Sequence, residues 1–563
     1  MLTFFYGGTG TGKSYAMMDK IKQAAENGRK VCVIVPDQFT FEYEHMLYNH
    51  LGCALFNKGN TEVWSFSRLA ADIFRCTKAP EGMGADSTVK TAVMYKVIRL
   101  ISEREGLLFF DKQAKRASFA NTALTMLSEL IHSGVTPEVL GEILKTAPDN
   151  MRDKLTDLFL ISSEKSSELA ALGMRDILLE ARLAADKAEQ NGYFNDMCLF
   201  MDEFKSFTGD QYNMIRVMLS QCAELTVCMT SDDIGKGGFG PFTAVNETCA
   251  GLSSIAAELG KKINKVKFDD NKRYKSEELF ELSKNLLRLP SKAYNGDGGN
   301  ITLVTAPDIY GECDYICAAI CELTAADRSL RYSDIAVLSR AMNDDISVLA
   351  PHFERYNIPY YSDKKRPAGH KPLMLRVTAA LELAAEKKPS TEVLLRYAKT
   401  GLTQVSEEDI AYLENYCYTW DIDGSMWQSE FPDEKAEDIR LRLLSPINSL
   451  KKACSGKTGA QICDALRSFI GETGAEEKLL SFEGKYITEA ESAAQIRENE
   501  WLCSQLDEIF ASLEQALTEK ISLSDFRDIF MLSAEKITLA APPTHWTELS
   551  HSSQTLPVSQ TPR

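Results

Sequence analysis

The chain has 563 residues, 44% of them hydrophobic and 25% charged, a balance typical of a globular protein with about three to four domains. This composition excludes a collagen-like, a mostly disordered or a disulfide-dense protein, and the apolar runs are too short to span a membrane. The formal net charge of −17 argues against a basic coat that binds nucleic acid everywhere, but it leaves room for a local basic groove.

The first residues carry no basic segment ahead of the apolar ones, so we expect no signal peptide. The 14 cysteines include no CxxC pair, and we interpret them as the reduced thiols of a cytoplasmic protein.

The N-terminal segment predicts a strand, a turn, a helix and a second strand. Residues 2–6 are apolar, residues 7–12 are rich in glycine, and a helical pattern runs from Lys13 until Gly28 ends it. A second buried strand follows at residues 31–35. This order is typical of a parallel α/β sheet.

The glycine-rich turn fits the phosphate-loop pattern GxxxxGK[ST]. It consists of Gly7, Gly8, Thr9, Gly10, Thr11, Gly12, Lys13 and Ser14. Glycines let backbone N–H groups turn inward around a phosphate, and the helix that starts here adds its positive end. Lys13 would contact the β- and γ-phosphates, and the Ser14 hydroxyl would bind Mg²⁺. The pattern therefore predicts an ATP site.

Residues 79–190 are predicted to be helical, and strand character returns at residues 197–201 and 225–229, so the helical stretch interrupts one α/β domain. The first of these two strands ends in Asp202 and Glu203. In a nucleotide site, Asp202 would hold Mg²⁺ and Glu203 would orient or deprotonate the attacking water.

A turn-rich linker at residues 294–300 precedes a second α/β unit, with strands predicted at 301–304 and 335–338 and a helix between them. Residues 373–530 are again predicted to be helical. In the helix between the strands, Cys313, Cys317 and Cys321 form one stripe. For this stripe we favour a buried face of small residues over a metal site.

Several segments together resemble one family. Asp202, Glu203 and Phe204 with the later Gln-Tyr pair resemble the DEFQ…QY pattern of superfamily 1 DNA helicases of the UvrD type. Residues 36–44, 63–69, 331–340, 358–363, 399–402 and 413–416 are similar to consecutive segments of the AddB family, the B subunits of ATP-dependent helicase/deoxyribonucleases. The similarity runs from residue 1 to about residue 543.

The resemblance implies an α/β fold with two RecA-like P-loop domains, each interrupted by a helical insertion. The implied parts are a first RecA-like domain at 1–78 and 191–290, its insertion at 79–190, an incomplete second RecA-like domain at 301–372, its insertion at 373–530, a return to the second domain at 531–543 and a disordered tail at 544–563. The implied function is ATP and DNA binding, without membrane association, in a complex that processes double-strand break ends for Chi-dependent homologous recombination. The implied partners are an AddA-like helicase–nuclease subunit, with which the chain forms a heterodimer, and single-stranded and duplex-end DNA.

The resemblance also assigns roles to residues. Lys13 and Ser14 bind nucleotide phosphates and Mg²⁺, Asp202 binds Mg²⁺ and Glu203 is the catalytic base. Arg340 ends a predicted strand and would touch the γ-phosphate, with a plain surface arginine as the alternative. The positions implied to meet single-stranded DNA are Phe39, Thr40, Ser65 and Phe66. Ordinary packing under a loop is the alternative for both phenylalanines.

The chain departs from the family pattern in two places. Residues 229–234 lack the Gly and the Gln of the helicase GDxxQ motif. Whether the chain hydrolyses ATP therefore stays open, and we do not expect it to unwind DNA alone. The family's nuclease domain and its four-cysteine iron–sulfur cluster lie beyond the matched segments, so neither is expected here. When the codons are read from the third base of the His545 codon, the first two triplets must encode Leu and Asp. Leu-Asp is part of the family's PPxLDxV segment, so we predict a frameshift near Thr544.

Two other functions stay open at this point. The first is a free-standing P-loop NTPase or small-molecule kinase, for which a second α/β unit carrying Arg340 would have no use. The second is an inactive product of a broken gene. Nucleotide hydrolysis measured with and without single-stranded DNA would separate the kinase from the helicase-like subunit.

Overall fold

The computed structural model describes residues 1–56, 60–78, 80–176, 179–235, 240–286, 290, 292–296, 298–362, 366–481 and 489–539, which form two compact units. The first unit comprises residues 1–85, 101–111 and 122–302, and the second comprises residues 86–100, 112–121 and those from 303 onward. The tail predicted at 544–563, with its expected frameshift, lies outside the described residues. None of the described helices has the length and apolar character that crossing a membrane requires.

The elements up to residue 302 are β1 (Leu2–Gly7), α1 (Lys13–Glu26), β2 (Val31–Ile34), α2 (Thr40–Leu51), α3 (Cys53–Phe56), β3 (Thr61–Trp64), α4 (Phe66–Cys76), β4 (Met83–Ala85), α5 (Ser87–Arg104), α6 (Asp111–Ala114), α7 (Phe119–His132), α8 (Pro137–Thr146), α9 (Asp149–Ala171), β5 (Met174–Asp176), α10 (Glu180–Asn191), β6 (Cys198–Met201), α11 (Gly209–Gln221), β7 (Glu224–Thr230), α12 (Thr243–Glu258), β8 (Ile263–Phe268) and α13 (Glu277–Asn285). Those that follow are α14 (Ile309–Ala326), α15 (Met342–Arg355), β9 (Arg366–Pro367), α16 (Pro372–Ala385), α17 (Thr391–Ala398), α18 (Glu407–Trp420), α19 (Glu434–Cys454), α20 (Gly459–Glu472), α21 (Ala475–Leu480), α22 (Glu489–Ala516), α23 (Leu523–Ala534) and β10 (Thr538–Leu539).

A parallel six-stranded sheet in the order β3-β2-β6-β7-β1-β8 forms the centre of the first unit. Both faces of this sheet are buried: Phe4 packs into the core on one face and Phe5 into the core on the other. Helices covering both faces explain why the inner strands are continuous apolar runs instead of alternating ones. The α/β class and the four strands predicted in this unit are confirmed.

Two strands of the sheet were not among the predicted elements. Strand β8, with the sequence INKVKF, lies at one edge of the sheet and pairs with β1. Its exposed positions carry Lys and Asn, so it lacks the apolar run that marks an inner strand. The other edge strand, β3, is only four residues long.

The stretch predicted as one helical insertion is divided between the two units. Helices α5 to α10 and the short parallel pair β4–β5 do occupy it, as the helical periodicity predicted. However, residues 86–100 and 112–121 group with the second unit. Periodicity shows that a segment is helical but does not show which core its apolar face joins.

The second unit is built mainly from helices, and the helices predicted over residues 373–530 are confirmed as α16 to α23. Cys313 and Cys317 are buried in an apolar core between α14 and α15, and Cys321 packs at its margin. The cysteine stripe is therefore the small-residue face that the sequence favoured. The short strands β9 and β10 pair antiparallel.

The strands predicted at residues 301–304 and 335–338 are not found as strands. Neither segment is helical, and among the described residues no strand pairs with either of them. Ile335 and Val337 pack on the α14–α15 core, whereas Leu303 and Leu338 are 95% and 91% exposed. An extended segment becomes a strand only when a neighbour satisfies its backbone groups, so the second RecA-like domain stays a prediction.

We expect the exposed Leu303 and Leu338 to promote self-association of the chain, and the double substitution Leu303→Lys and Leu338→Lys to reduce it without loss of stability. Both side chains are almost fully exposed, so their replacement should change the free energy of unfolding by no more than about 0.5 kcal/mol. Light scattering on a sizing column measures the association, and Leu441→Lys, at a half-exposed position on α19, is the control. An unchanged oligomer distribution in the double variant would contradict the prediction.

Candidate nucleotide site

The phosphate loop connects β1 to α1 at the carboxyl edge of the parallel sheet. Gly10 and Gly12 have φ angles of +75° and +88°, a left-handed conformation that side chains with a Cβ rarely adopt. Gly12 is also the N-cap of α1, so the loop runs directly into the positive end of the helix. The glycine pattern in the sequence thus corresponds to a backbone turn that can surround a phosphate.

Lys13 is almost completely buried in this loop. Its side-chain nitrogen donates a hydrogen bond to the carbonyl oxygen of Gly8 at 2.7 Å. Burial lowers the pKa of Lys13, while the carboxylates of Asp202 and Glu203 act in the opposite direction. The ammonium group therefore lies within electrostatic range of the acidic pair predicted at the second strand.

Asp202 and Glu203 follow β6, as the sequence predicted. Asp202 is 5% exposed, and both of its carboxylate oxygens accept hydrogen bonds. Oδ1 accepts from the backbone N–H of Glu203 at 2.9 Å, and Oδ2 accepts from the Tyr43 hydroxyl at 3.0 Å. Glu203 has a φ angle of +66°, which is uncommon for a residue with a side chain and is characteristic of functional turns.

The pKa of Glu203 is raised above the usual value of a glutamate. Partial burial is the main cause, and the neighbouring carboxylates of Asp202 and Glu42 add to it. The positive charges of Lys13 and Arg273 partly offset these effects. A raised pKa makes a carboxylate a stronger base, which suits the role predicted for Glu203.

Arg273 is a site residue that the sequence reasoning missed. After β8 the chain passes over the phosphate loop, where the backbone N–H of Lys272 donates to the Gly10 carbonyl at 2.9 Å. A methyl group placed on Gly10 would lie 2.7 Å from Arg273 Cβ. The available signal was a Lys-Arg pair four residues after the end of a strand, since the carboxyl ends of parallel strands share one edge. It was not used because β8 itself was not predicted.

The groups at this edge fit a magnesium ion bound together with a nucleotide. Mg²⁺ prefers oxygen ligands and is held by one or two carboxylates plus substrate phosphates. Ser14 supplies a half-buried hydroxyl position and Asp202 a buried carboxylate. Among the described residues there is no group of three His, Cys, Asp or Glu side chains that could hold a metal ion.

Two of the predicted DNA-contacting residues have buried hydroxyl-bearing side chains. The Thr40 hydroxyl donates to the Asp37 carbonyl oxygen at 2.9 Å. Ser65 is the N-cap of α4 and accepts a hydrogen bond from the Arg68 N–H at 3.3 Å. Both residues therefore stabilise local structure, and a contact of either with DNA stays a prediction.

The two predicted aromatic contacts are also packed against the first unit. Phe66 lies edge-on to Phe204 and Phe207, with ring centroids 5.7 and 6.2 Å away. Phe39 packs at the margin of the core on one face of the sheet. Phe41, which the sequence reasoning did not select, is 68% exposed at the start of α2. Base stacking by Phe39 and Phe66 stays a prediction.

Arg340 belongs to the second unit, where it is exposed after residues 335–338. Its contact with the γ-phosphate stays a prediction.

Comparison with known proteins gives one consistent result. The family described as "ADDB, N-terminal" matches residues 4–283. The chain is similar to the B subunit of the ATP-dependent helicase/deoxyribonuclease of Clostridium botulinum (strain Loch Maree / Type A3), with 27% identity over 96% of this chain and 50% of that protein. The protein of the same name from Clostridium novyi (strain NT) is 28% identical over 94% of this chain and 47% of its own length. That from Clostridioides difficile (strain 630) is 29% identical over 85% of this chain and 44% of its own length. The chain thus spans about half the length of the curated relatives it matches.

Proposed function

The chain belongs to the family of the B subunits of ATP-dependent helicase/deoxyribonucleases, and from this premise we propose that it binds ATP, Mg²⁺ and DNA as the helicase-like part of such a subunit. In this role it acts with an AddA-like helicase–nuclease subunit on the ends of broken duplex DNA, in Chi-dependent resection for homologous recombination. The nuclease domain and the iron–sulfur cluster of the family are not assigned to these residues.

The observation that carries the nucleotide part is the convergence of four charged side chains at one edge of the sheet. The carboxyl edge of the sheet carries Lys13 after β1, Asp202 and Glu203 after β6, and Arg273 after β8. Arg273 lies against the phosphate loop, since a methyl group on Gly10 would be 2.7 Å from its Cβ atom. Two cations next to a glycine loop attract phosphate oxygens, and the acidic pair offers a metal ligand and a base. The arrangement supports ATP binding with Mg²⁺, and Glu203 supports hydrolysis.

The DNA part of the proposal is supported by the names of the relatives and by the turn that follows β2. This turn, at residues 37–39, and the start of α2 lie one strand away from Asp202, because β2 and β6 are neighbours in the sheet. The exposed ring of Phe41 and the partly buried ring of Phe39 provide stacking surfaces for single-stranded bases. Arg340 would complete the nucleotide site by contacting the γ-phosphate.

The direct test is the binding of a fluorescent single-stranded oligonucleotide, measured by anisotropy with and without Mg²⁺·ATP. The helicase-like subunit should bind the oligonucleotide, with an affinity that changes when ATP is added. A small-molecule kinase would show ATP binding with no effect of DNA in either direction. Absence of oligonucleotide binding would refute the DNA part of the proposal.

We expect Glu203→Gln to reduce any ATP hydrolysis by the chain about 100-fold or more, because general-base catalysis contributes about 10²–10⁴-fold. The substitution keeps the size of the side chain, so ATP affinity should stay within about threefold. Steady-state phosphate release and nucleotide binding are measured in parallel. Glu26→Gln, at the far end of α1, is the matched control, and equal hydrolysis by the two variants would remove Glu203 from this role.

A further inference from the structure

Tyr43 lies on α2, directly behind the carboxylate of Asp202. The tyrosine is 3% exposed, and its hydroxyl donates a hydrogen bond to Asp202 Oδ2 at 3.0 Å. An ionised carboxylate can only accept hydrogen bonds, so the phenol hydroxyl is the donor in this contact.

This hydrogen bond leaves Asp202 able to bind a metal while removing its rotational freedom. Oδ2 accepts from Tyr43, and Oδ1 accepts from the backbone N–H of Glu203. Each oxygen of an ionised carboxylate has two lone pairs, so each still has one for a cation or a water molecule. With both oxygens anchored, the plane of the carboxylate is fixed before any ligand arrives.

The same chain of hydrogen bonds extends to the predicted base. Glu203 has the unfavourable φ angle of +66°, and its N–H is held by the side chain of Asp202. A hydrogen bond to a charged group contributes free energy of the same order as this backbone strain. Since Tyr43 anchors Asp202, it also supports the backbone conformation that directs Glu203.

We propose, on the basis of the proposed function, that Tyr43 is a positioning residue for magnesium. It holds Asp202 in the orientation that binds the ion, so that Mg²⁺ increases the affinity of the chain for nucleotide. Tyr43 itself touches neither the ion nor the nucleotide. Its effect on nucleotide affinity is therefore confined to the contribution that magnesium makes to binding.

A purely structural role for Tyr43 predicts a different result. The ring packs in the core on one face of the sheet with Leu47 and Phe200, and this packing does not involve the hydroxyl. Tyr43→Phe keeps the ring and removes only the donor, so the two roles can be separated. The matched control is Tyr48→Phe, which removes a phenol hydroxyl from the same helix at a position that is 42% exposed.

The experiment is a titration of the full chain with a fluorescent ATP analogue, in EDTA and at increasing Mg²⁺ concentrations. For Tyr43→Phe we expect the Mg²⁺ concentration at half-saturation to rise about three- to tenfold, as for the loss of one hydrogen bond. The affinity measured in EDTA should stay within about twofold of the unsubstituted chain. Tyr48→Phe should match the unsubstituted chain in both measurements.

Three results would count against the idea. Equal magnesium requirements in the Tyr43→Phe and Tyr48→Phe variants would overturn the positioning role. A parallel loss of affinity in EDTA would also overturn it, because the hydroxyl would then act on the fold and not on the metal. Failure of the unsubstituted chain to bind the analogue at all would refute the proposed function itself.

Discussion

Replacing Lys13 by alanine is expected to weaken ATP binding at least about 100-fold while leaving the fold intact. Charge-assisted hydrogen bonds contribute about 1.5–3 kcal/mol each, and we predict that Lys13 makes two of them, with the β- and γ-phosphates. In the protein its ammonium donates to the Gly8 carbonyl of its own loop, so its loss disconnects no other element. Isothermal titration with ATP and Mg²⁺ measures the affinity.

The control for this prediction is Lys22→Ala, which removes a lysine from the same helix further from the loop. That variant should bind ATP like the unsubstituted chain, and both variants should give the same circular dichroism spectrum. Unchanged ATP affinity in Lys13→Ala would mean that the glycine loop is only a structural turn.

The second large effect is expected from Gly7→Ala, which should destabilise the sheet by about 3 kcal/mol. A methyl group on Gly7 would meet the backbone carbonyl of Phe268, on the neighbouring strand β8, far inside van der Waals contact. It would also lie 2.9 Å from the Thr11 hydroxyl oxygen. A backbone atom cannot rotate away as a side chain can, so β1 and β8 must separate. Hydrogen exchange should show lost protection in both strands.

Gly8→Ala is the matched control because it adds the same methyl group one residue later. The nearest atom to that methyl would be Thr11 Cγ2 at 3.8 Å, an ordinary contact. We expect a change in the free energy of unfolding of less than about 1 kcal/mol. Equal destabilisation by the two substitutions would show that the close approach of Phe268 does not explain the glycine at position 7.

The sequence predicted those parts of the site that depend on local patterns. Gly12, Lys13 and Ser14 belong to one contiguous motif, and Asp202 directly ends an apolar strand, so no knowledge of tertiary packing was needed to find them. The inner strands of the sheet could also be predicted from local sequence, because a strand that is buried on both faces is a continuous apolar run.

The parts that the sequence did not predict depend on contacts between distant segments. Tyr43 and Asp202 are joined only because β2 and β6 are neighbours in the sheet, and nothing in the spacing of the residues shows that order. Arg273 comes after the edge strand β8, which was not predicted because polar residues interrupt its apolar ones. The strands predicted at 301–304 and 335–338 failed for the opposite reason, because apolar sequence alone does not provide a pairing partner.

The order of strands also bears on how the chain folds as it leaves the ribosome. In the sheet β1 pairs only with β7 and β8, so the first strand to be synthesised must wait for residues 224–230 and 263–268. At translation rates of about 5–20 residues per second, roughly 13–50 s separate the synthesis of the loop from that of its last neighbour. The apolar strand β1 therefore stays unpaired until β7 has been made, and one of its edges stays open and available to chaperones until β8 has been made. The loop can take its final conformation only after translation has passed β8.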